Sequence, residues 1–188
     1  EILTYEVTLT IPANSSDTYI VTDTLDSGLA FVDCSDITAG ANLSSTTIDF
    51  SATDNCNDGV ISGVHNPLIQ NDGGTVIYDL GTVINSHPSE VQTVTLTYDV
   101  VVLNTLDNQD SVTLSNNAEG TWSGGSLSRQ SPPVEIVEPD LAVTKSVNDN
   151  VVVPGQTITY RLFVEHTSDS RSNAYDLEII DEIPHGLA

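Results

Sequence analysis

An all-β fold, an antiparallel β-sandwich of immunoglobulin-like type, is predicted by three features of this sequence. Apolar and polar residues alternate with period two in one segment after another, Gly, Asn, Asp and Pro punctuate those segments, and no stretch of helical length carries a helical apolar period. At the start, Leu3, Tyr5, Val7, Leu9 and Ile11 alternate with Thr4, Glu6, Thr8 and Thr10, the pattern of a strand with one buried face and threonine on the wet face. Residues 19–25, 75–80, 91–103, 111–122, 141–147 and 157–164 read as further strands rich in Val, Ile and Thr. Residues 34–74, rich in Ser, Asn, Asp and Gly, read instead as a decorated loop region with one or two short strands.

The end of the chain partly repeats its beginning. Ile158, Thr159 and Tyr160 fall on Leu3, Thr4 and Tyr5, while Ile180, Asp181, Gly186, Leu187 and Ala188 fall on Thr22, Asp23, Gly28, Leu29 and Ala30. This echo predicts tandem copies of one unit, with the boundary at Ser131, Pro132 and Pro133, where two prolines stiffen a short linker. Residues 1–133 are then one sandwich repeat lacking its first strand, the place that residues 141–147 fill in the next copy. Residues 134–188 form the N-terminal part of that next repeat, with a third strand expected around residues 177–183. A slice of a tandem array is expected of a surface stalk or fibre.

Composition narrows the function classes. A formal net charge of -23 with only four Lys and Arg residues excludes nucleic acid and anionic membrane surfaces as partners. Apolar residues make up 38% of the chain, which suits a packed core and not a disordered acidic tail. No apolar run is long enough to span a membrane and no signal-like segment opens the chain, so an export signal or anchor is expected outside this slice. Cys34 and Cys56, the only cysteines, are flanked by Asp, Ser and Asn instead of further metal ligands, and a disulfide in an oxidising compartment is predicted. In the chain-entropy model it stabilises by roughly 3 kcal/mol.

The segments PDLAVTKSVNDNVVVPGQTITYRLFVEHTS and LEIIDEIPHGLA, with LTYEVTLTIP, VTDTLDSGLAFVD and VTLSNNAEGTW in the first copy, resemble a conserved repeat domain of unknown function. That domain occurs in tandem in very large bacterial and archaeal surface proteins. The resemblance covers most of the chain outside roughly residues 35–75 and implies an extracellular β-sandwich repeat without a settled activity. The same pattern is similar to fimbrial isopeptide-forming domains, in which a first-strand lysine is joined covalently to a last-strand asparagine beside an acid. Those residue types stand in matching places. Lys145, the only lysine, shares strand parity with Leu141, Val143 and Val147, which predicts a core-facing amine. Asp181 shares parity with Leu177, Ile179 and Ile183, Asp23 with Tyr19, Val21 and Leu25, and Asn116 with Val112, Leu114 and Ala118. Desolvation would lower the lysine pKa and raise that of the carboxyl, giving a neutral amine nucleophile beside a protonated acid. The first copy's lysine would lie upstream of Glu1 and the asparagine partner of Lys145 beyond Ala188, so no complete set belongs to one copy within residues 1–188. The other reading of the same residues is a Lys to Asp ion pair and a hydrogen-bonded Asn.

Calcium is the one cofactor the sequence suggests, through Asp54, Asn57 and Asp58, although Cys56 stands at the third position of that loop and His65 where its last acid belongs. His65, His87, His166 and His185 are scattered without a catalytic or metal-ligand spacing, so no catalytic residue is assigned and no enzyme is expected beyond single-turnover isopeptide formation in a complete repeat. Trp122 is expected in the core, and Asn14 and Asn42 head glycosylation sequons. The sequence thus predicts a structural repeat of a long secreted surface protein that forms a stalk, sheath or filament with neighbouring repeats and copies of itself. The alternative is an adhesin module that binds a glycan or a host protein through residues 34–74.

Overall fold

The computed structural model describes residues 1–52, Cys56 and residues 66–187, and the strands are numbered in chain order. They are β1 (Ile2–Ile11), β2 (Ser15–Thr24), β3 (Leu29–Ala39), β4 (Leu43–Ser45), β5 (Leu68–Gln70), β6 (Thr75–Asn85) and β7 (Gln92–Val102). Then follow β8 (Thr113–Leu114), β9 (Asn117–Trp122), β10 (Gly125–Gln130), β11 (Val134–Glu135), β12 (Leu141–Val147) and β13 (Tyr160–His166). Two compact units result. The first holds Glu1–Asn108 and Val112–Glu135, and the second holds Gln109–Ser111 with the chain from Ile136 onward.

The first unit is a sandwich of antiparallel sheets. One sheet has the order β1-β7-β3, and the other has the order β10-β9-β2-β6-β4, with β5 also paired to β6. The register of β1 on β7 sets Tyr5 opposite Tyr98, Val7 opposite Leu96 and Leu9 opposite Val94, so both strands turn their apolar side chains to one face. On the other face the Thr8 and Thr95 hydroxyls lie 3.3 Å apart, and Thr4 donates to Asp99 at 2.7 Å. Val94, Leu96, Tyr98 and Val100 of β7, Ile37 of β3, Val21 of β2, and Val76, Tyr78 and Leu80 of β6 are all buried and form the core. Each such side chain stabilises the fold by roughly 1.5–3 kcal/mol.

The structure departs from the sequence-based expectation in four places. β3 continues through Cys34 to Ala39 where a loop was expected, because irregularities between Phe31 and Asp33 and between Cys34 and Asp36 break its alternation and leave Val32 exposed. β10 was not among the expected strands, since Gly125–Gln130 carries no apolar alternation, and it is an outer strand exposed along its whole length. β11 lies past Pro132 and Pro133 yet pairs with β8 in the first unit, so these prolines bend the chain inside that unit. In the second unit, β12 and β13 form an antiparallel hairpin from Leu141 opposite His166 to Val147 opposite Tyr160, but residues 177–183 are not a strand. Leu177, Ile179 and Ile183 are exposed there, as expected of a segment without a neighbouring strand to complete its backbone hydrogen bonds.

At Gly81 the chain needs glycine. The β2–β6 register shifts beside it, its φ is +58°, and a Cβ would stand 2.5 Å from Thr46 Oγ1 and 2.6 Å from Thr47 Cγ2. Gly81→Ala is therefore expected to lower stability by roughly 1–2 kcal/mol from the left-handed backbone alone, with the clash adding to it. Urea unfolding checks this, and an unchanged midpoint contradicts it.

Candidate functional site

The parity of β2 that buries Tyr19 and Val21 also carries Asp23 inward, where it is fully buried. Asn116, between β8 and β9, reaches it from the same sheet, and Tyr98 of β7 reaches it from the opposite sheet. The Tyr98 hydroxyl donates to Asp23 Oδ2, Asn116 Nδ2 donates to the same oxygen at 2.9 Å, and Asn116 Nδ2 also lies 3.1 Å from the Tyr98 hydroxyl. This closed triangle ties the two sheets together. Tyr5, Phe31 and Tyr78 surround Tyr98 with ring centroids 6.0, 6.2 and 6.2 Å away.

No cationic side chain joins the cluster among the described residues. Burial pushes the Asp23 carboxyl up to about 6, and the amide of Asn116 opposes that shift. Burial likewise raises the Tyr78 phenol, with the charges of Asp23 and Asp33 adding to it. Tyr5 is raised by burial too, with the charges of Asp23 and Asp26 adding to it. Asp23 Oδ1, Asn116 Oδ1 and the hydroxyls of Tyr5 and Tyr78 have no hydrogen-bond partner. Such orphaned polar atoms cost about 1–3 kcal/mol each.

The other buried asparagines show how unusual Asn116 is. Asn66 mimics a strand neighbour, accepting from the Asp79 N–H at 2.7 Å and donating to its carbonyl at 3.0 Å. Asn85 donates to the Ile11, Pro12 and Glu90 carbonyls and accepts from the His87 N–H, and Asn108 donates to the Gly28 and Leu103 carbonyls. These three hold loops. Asn116 instead uses its amide nitrogen on a carboxyl and a phenol and leaves its oxygen open.

A groove of about 870 Å³ runs along the first unit, with Asp23 and Asn116 at its inner wall. One side is β1, from which every residue between Thr4 and Thr10 contributes, as a strand edge does and a single strand face does not. The other side comes from β9 and β10 and includes Trp122, Leu127 and Arg129. Trp122 was expected in the core, but it is 36% exposed because it stands at the end of β9 where the sheets part over this groove.

In the second unit, Lys145 Nζ lies 2.5 Å from Asp181 Oδ1 and 4.5 Å from the Tyr160 ring centroid. Asp181 and Tyr160 are the sequence counterparts of Asp23 and Tyr5. Lys145 lies on a face of the hairpin that nothing among the described residues covers, and the Lys145 and Asp181 side chains keep 39% and 31% exposure. The hairpin has no second sheet over this face among the described residues, and Val143 beside it is 62% exposed. An ion pair this open contributes about 0–1 kcal/mol.

Cys34 and Cys56 form a disulfide with both residues buried, joining β3 to the segment that follows β4. The candidate calcium residues Asp54, Asn57 and Asp58, and His65 with them, lie outside the described residues. Among the described residues no group of three or more His, Cys, Asp or Glu side chains is gathered, and no helix is long and apolar enough to cross a membrane. Asn14 and Asn42 are exposed. His87 has its Nδ1 2.9 Å from the Glu90 N–H nitrogen, and His166 has its Nδ1 2.7 Å from the Ser170 hydroxyl, both near the surface. Sequence reasoning missed Tyr78 and Tyr98. The available signal was parity, since Tyr98 shares an inward face with Val94, Leu96 and Val100 and a buried phenol needs a partner.

No family model matches the sequence, and no curated protein matches it. Among solved structures, the chain is similar to the pilus backbone protein RrgB of Streptococcus pneumoniae, with 15% identity and a TM-score of 0.41 over 65% of this chain and 24% of that one. It is also similar to BcpA, the major pilin subunit of Bacillus cereus, with 14% identity and a TM-score of 0.38 over 90% of this chain and 50% of that one. The chain thus spans a quarter to a half of the proteins it matches.

Asp23 makes a signed pH prediction. In the folded chain it keeps its proton up to about pH 6, whereas the unfolded chain releases it near the ordinary aspartate value of 3.8. The folded state therefore binds more protons in that window, and stability falls as pH rises through it and stays lower above. The Tyr78 and Tyr5 phenols near Asp23 are pushed up and stay protonated there. Asp23→Asn should remove this slope, so that the variant's stability relative to the parent is higher at pH 7.5 than at pH 4 by on the order of 2–3 kcal/mol. Urea unfolding at both pH values measures it, and parallel pH profiles for the two proteins contradict it.

Proposed function

We propose that this chain is a structural repeat of a secreted, tandemly repeated surface polypeptide that builds a stalk, sheath or filament. The observation that carries the reading is the recurrence of one joint. Tyr160 and Asp181 hold Lys145 in the second unit, and their counterparts Tyr5 and Asp23 stand together beside Asn116 in the first. The all-strand architecture, the Cys34 to Cys56 disulfide and the charge of -23 support an extracellular setting.

In a unit that holds lysine, acid and asparagine together, the neutral amine attacks the carboxamide carbon of asparagine. A new C–N amide bond forms, the old C–N bond breaks, and ammonia leaves with the protons relayed by the acid. The first strand is then locked to the last. Residues 1–188 place Lys145 with Asp181, and Asn116 with Asp23.

Electron microscopy of material from the native source tests the structural reading: filaments or sheaths are expected, and monodisperse single chains overturn it. Intact mass of the denatured, reduced native protein tests the clamp separately. A deficit of about 17 Da per complete unit, the ammonia lost, is expected, and an undiminished mass overturns the covalent step.

A further inference from the structure

We propose that Asn14 and Asn42 both carry N-linked glycans, and that the fold sets the two side by side at one end of the first unit, across β6. The inference adds a covalent modification to the structural reading above and rests on its extracellular setting.

The two acceptors are built alike. Each asparagine ends a turn that leads straight into a strand, Ala13-Asn14 before β2 and Ala41-Asn42 before β4, and each stands in the pattern Ala-Asn-x-Ser. In both, the asparagine and the serine two residues on are exposed, while the residue between them, Ser15 or Leu43, is half-buried. Glycosyl transfer to asparagine needs that hydroxyl and an accessible carboxamide together. Neither the Asn14 nor the Asn42 carboxamide is hydrogen-bonded among the described residues. Those of Asn66, Asn85, Asn108 and Asn116 are all engaged in holding the fold.

Strand pairing brings these distant positions together. β2 and β4 flank β6 in matched register, so that Ser15 and Leu43 both pair with Asn85, and Ser16 and Ser44 both pair with Ile84. Two strand spacings, about 10 Å, therefore separate the acceptor backbones. The end of β6 and the residues after it hold both turns. Asn85 Nδ2 donates to the Ile11 and Pro12 carbonyls at 3.2 and 3.0 Å, and the Asn14 N–H donates to the His87 carbonyl at 2.9 Å. On the other side, Ser86 donates its N–H and its hydroxyl to the Asn42 carbonyl at 3.0 and 3.1 Å. Ile84, 42% exposed in the row between Ser16 and Ser44, lies where the first sugars would cover it. In the transfer, the carboxamide nitrogen bonds to the anomeric carbon of a lipid-linked oligosaccharide. The C–O bond from that carbon to the lipid phosphate breaks, the phosphate leaves with the electron pair, and the amide gives up one proton.

The test is glycopeptide mass spectrometry on the native protein from its source. Cleavage before aspartate separates the two sites, because Asp17, Asp36 and Asp49 lie between and around them. A hexose-bearing mass addition is expected on both peptides, localised to Asn14 and Asn42 by electron-transfer fragmentation. Either peptide found only at its unmodified mass overturns the paired arrangement. Variants made in the source supply a second measurement. Asn14→Gln and Ser16→Ala should each remove the first glycan and leave the second, and Asn42→Gln and Ser44→Ala should do the reverse. Both serines are exposed, so their loss probes the acceptor pattern without disturbing the core. A sugar that survives the glutamine change but not the alanine change is linked to the serine hydroxyl, and that result also overturns the proposal. Filaments carrying bare asparagines remove only the glycans. Glycans on a chain that is monomeric at its source remove only the structural reading.

Discussion

The first unit is organised around one buried carboxylate that has no cationic partner among the described residues. Asp23 is brought in by the inward parity of β2, and taking it out of water opposes its ionisation strongly enough to hold its proton to about pH 6. What the fold supplies in return is two donors on one oxygen, from Tyr98 across the sandwich and from Asn116 along the same sheet. Those two bonds fix the spacing of the sheets at this end. They also explain the crowd of aromatic rings around Tyr98, which excludes water and so keeps the carboxyl in the low-dielectric setting that shifts it.

The two matching aspartates, Asp23 and Asp181, differ in burial. In the second unit, the lysine has reached its aspartate, but both side chains remain partly in water, where the attraction of a charge pair is mostly cancelled. In the first, Asp23 is fully buried, and its Oδ1 and the Asn116 Oδ1 have no hydrogen-bond partner.

Much of this was legible in the sequence, and the parts that were not have identifiable causes. Period-two alternation revealed β1, β2, β6, β7, β12 and β13, because strands with one apolar face advertise their parity. It failed at β3, where two irregularities reset the phase, and at β10, an exposed outer strand of Ser, Arg and Gln with no apolar face to show. It over-reached at residues 177–183, where alternation is present but no adjacent strand completes the ladder. For the site, parity placed Asp23 and Asn116 inward correctly. It placed Lys145 inward too, onto a face that nothing among the described residues covers. Tyr98 escaped notice because a tyrosine among core residues reads as packing until its hydroxyl is asked for a partner.

The central claim is that Asp23 is a desolvated carboxyl with no cationic partner among the described residues. Its side-chain carboxyl carbon can be followed directly by NMR across a pH titration of the isotope-labelled chain. The account predicts a midpoint near 6, far above that of an ordinary aspartate. A midpoint at or below about 4, the range of a solvated or already neutralised carboxylate, would contradict it.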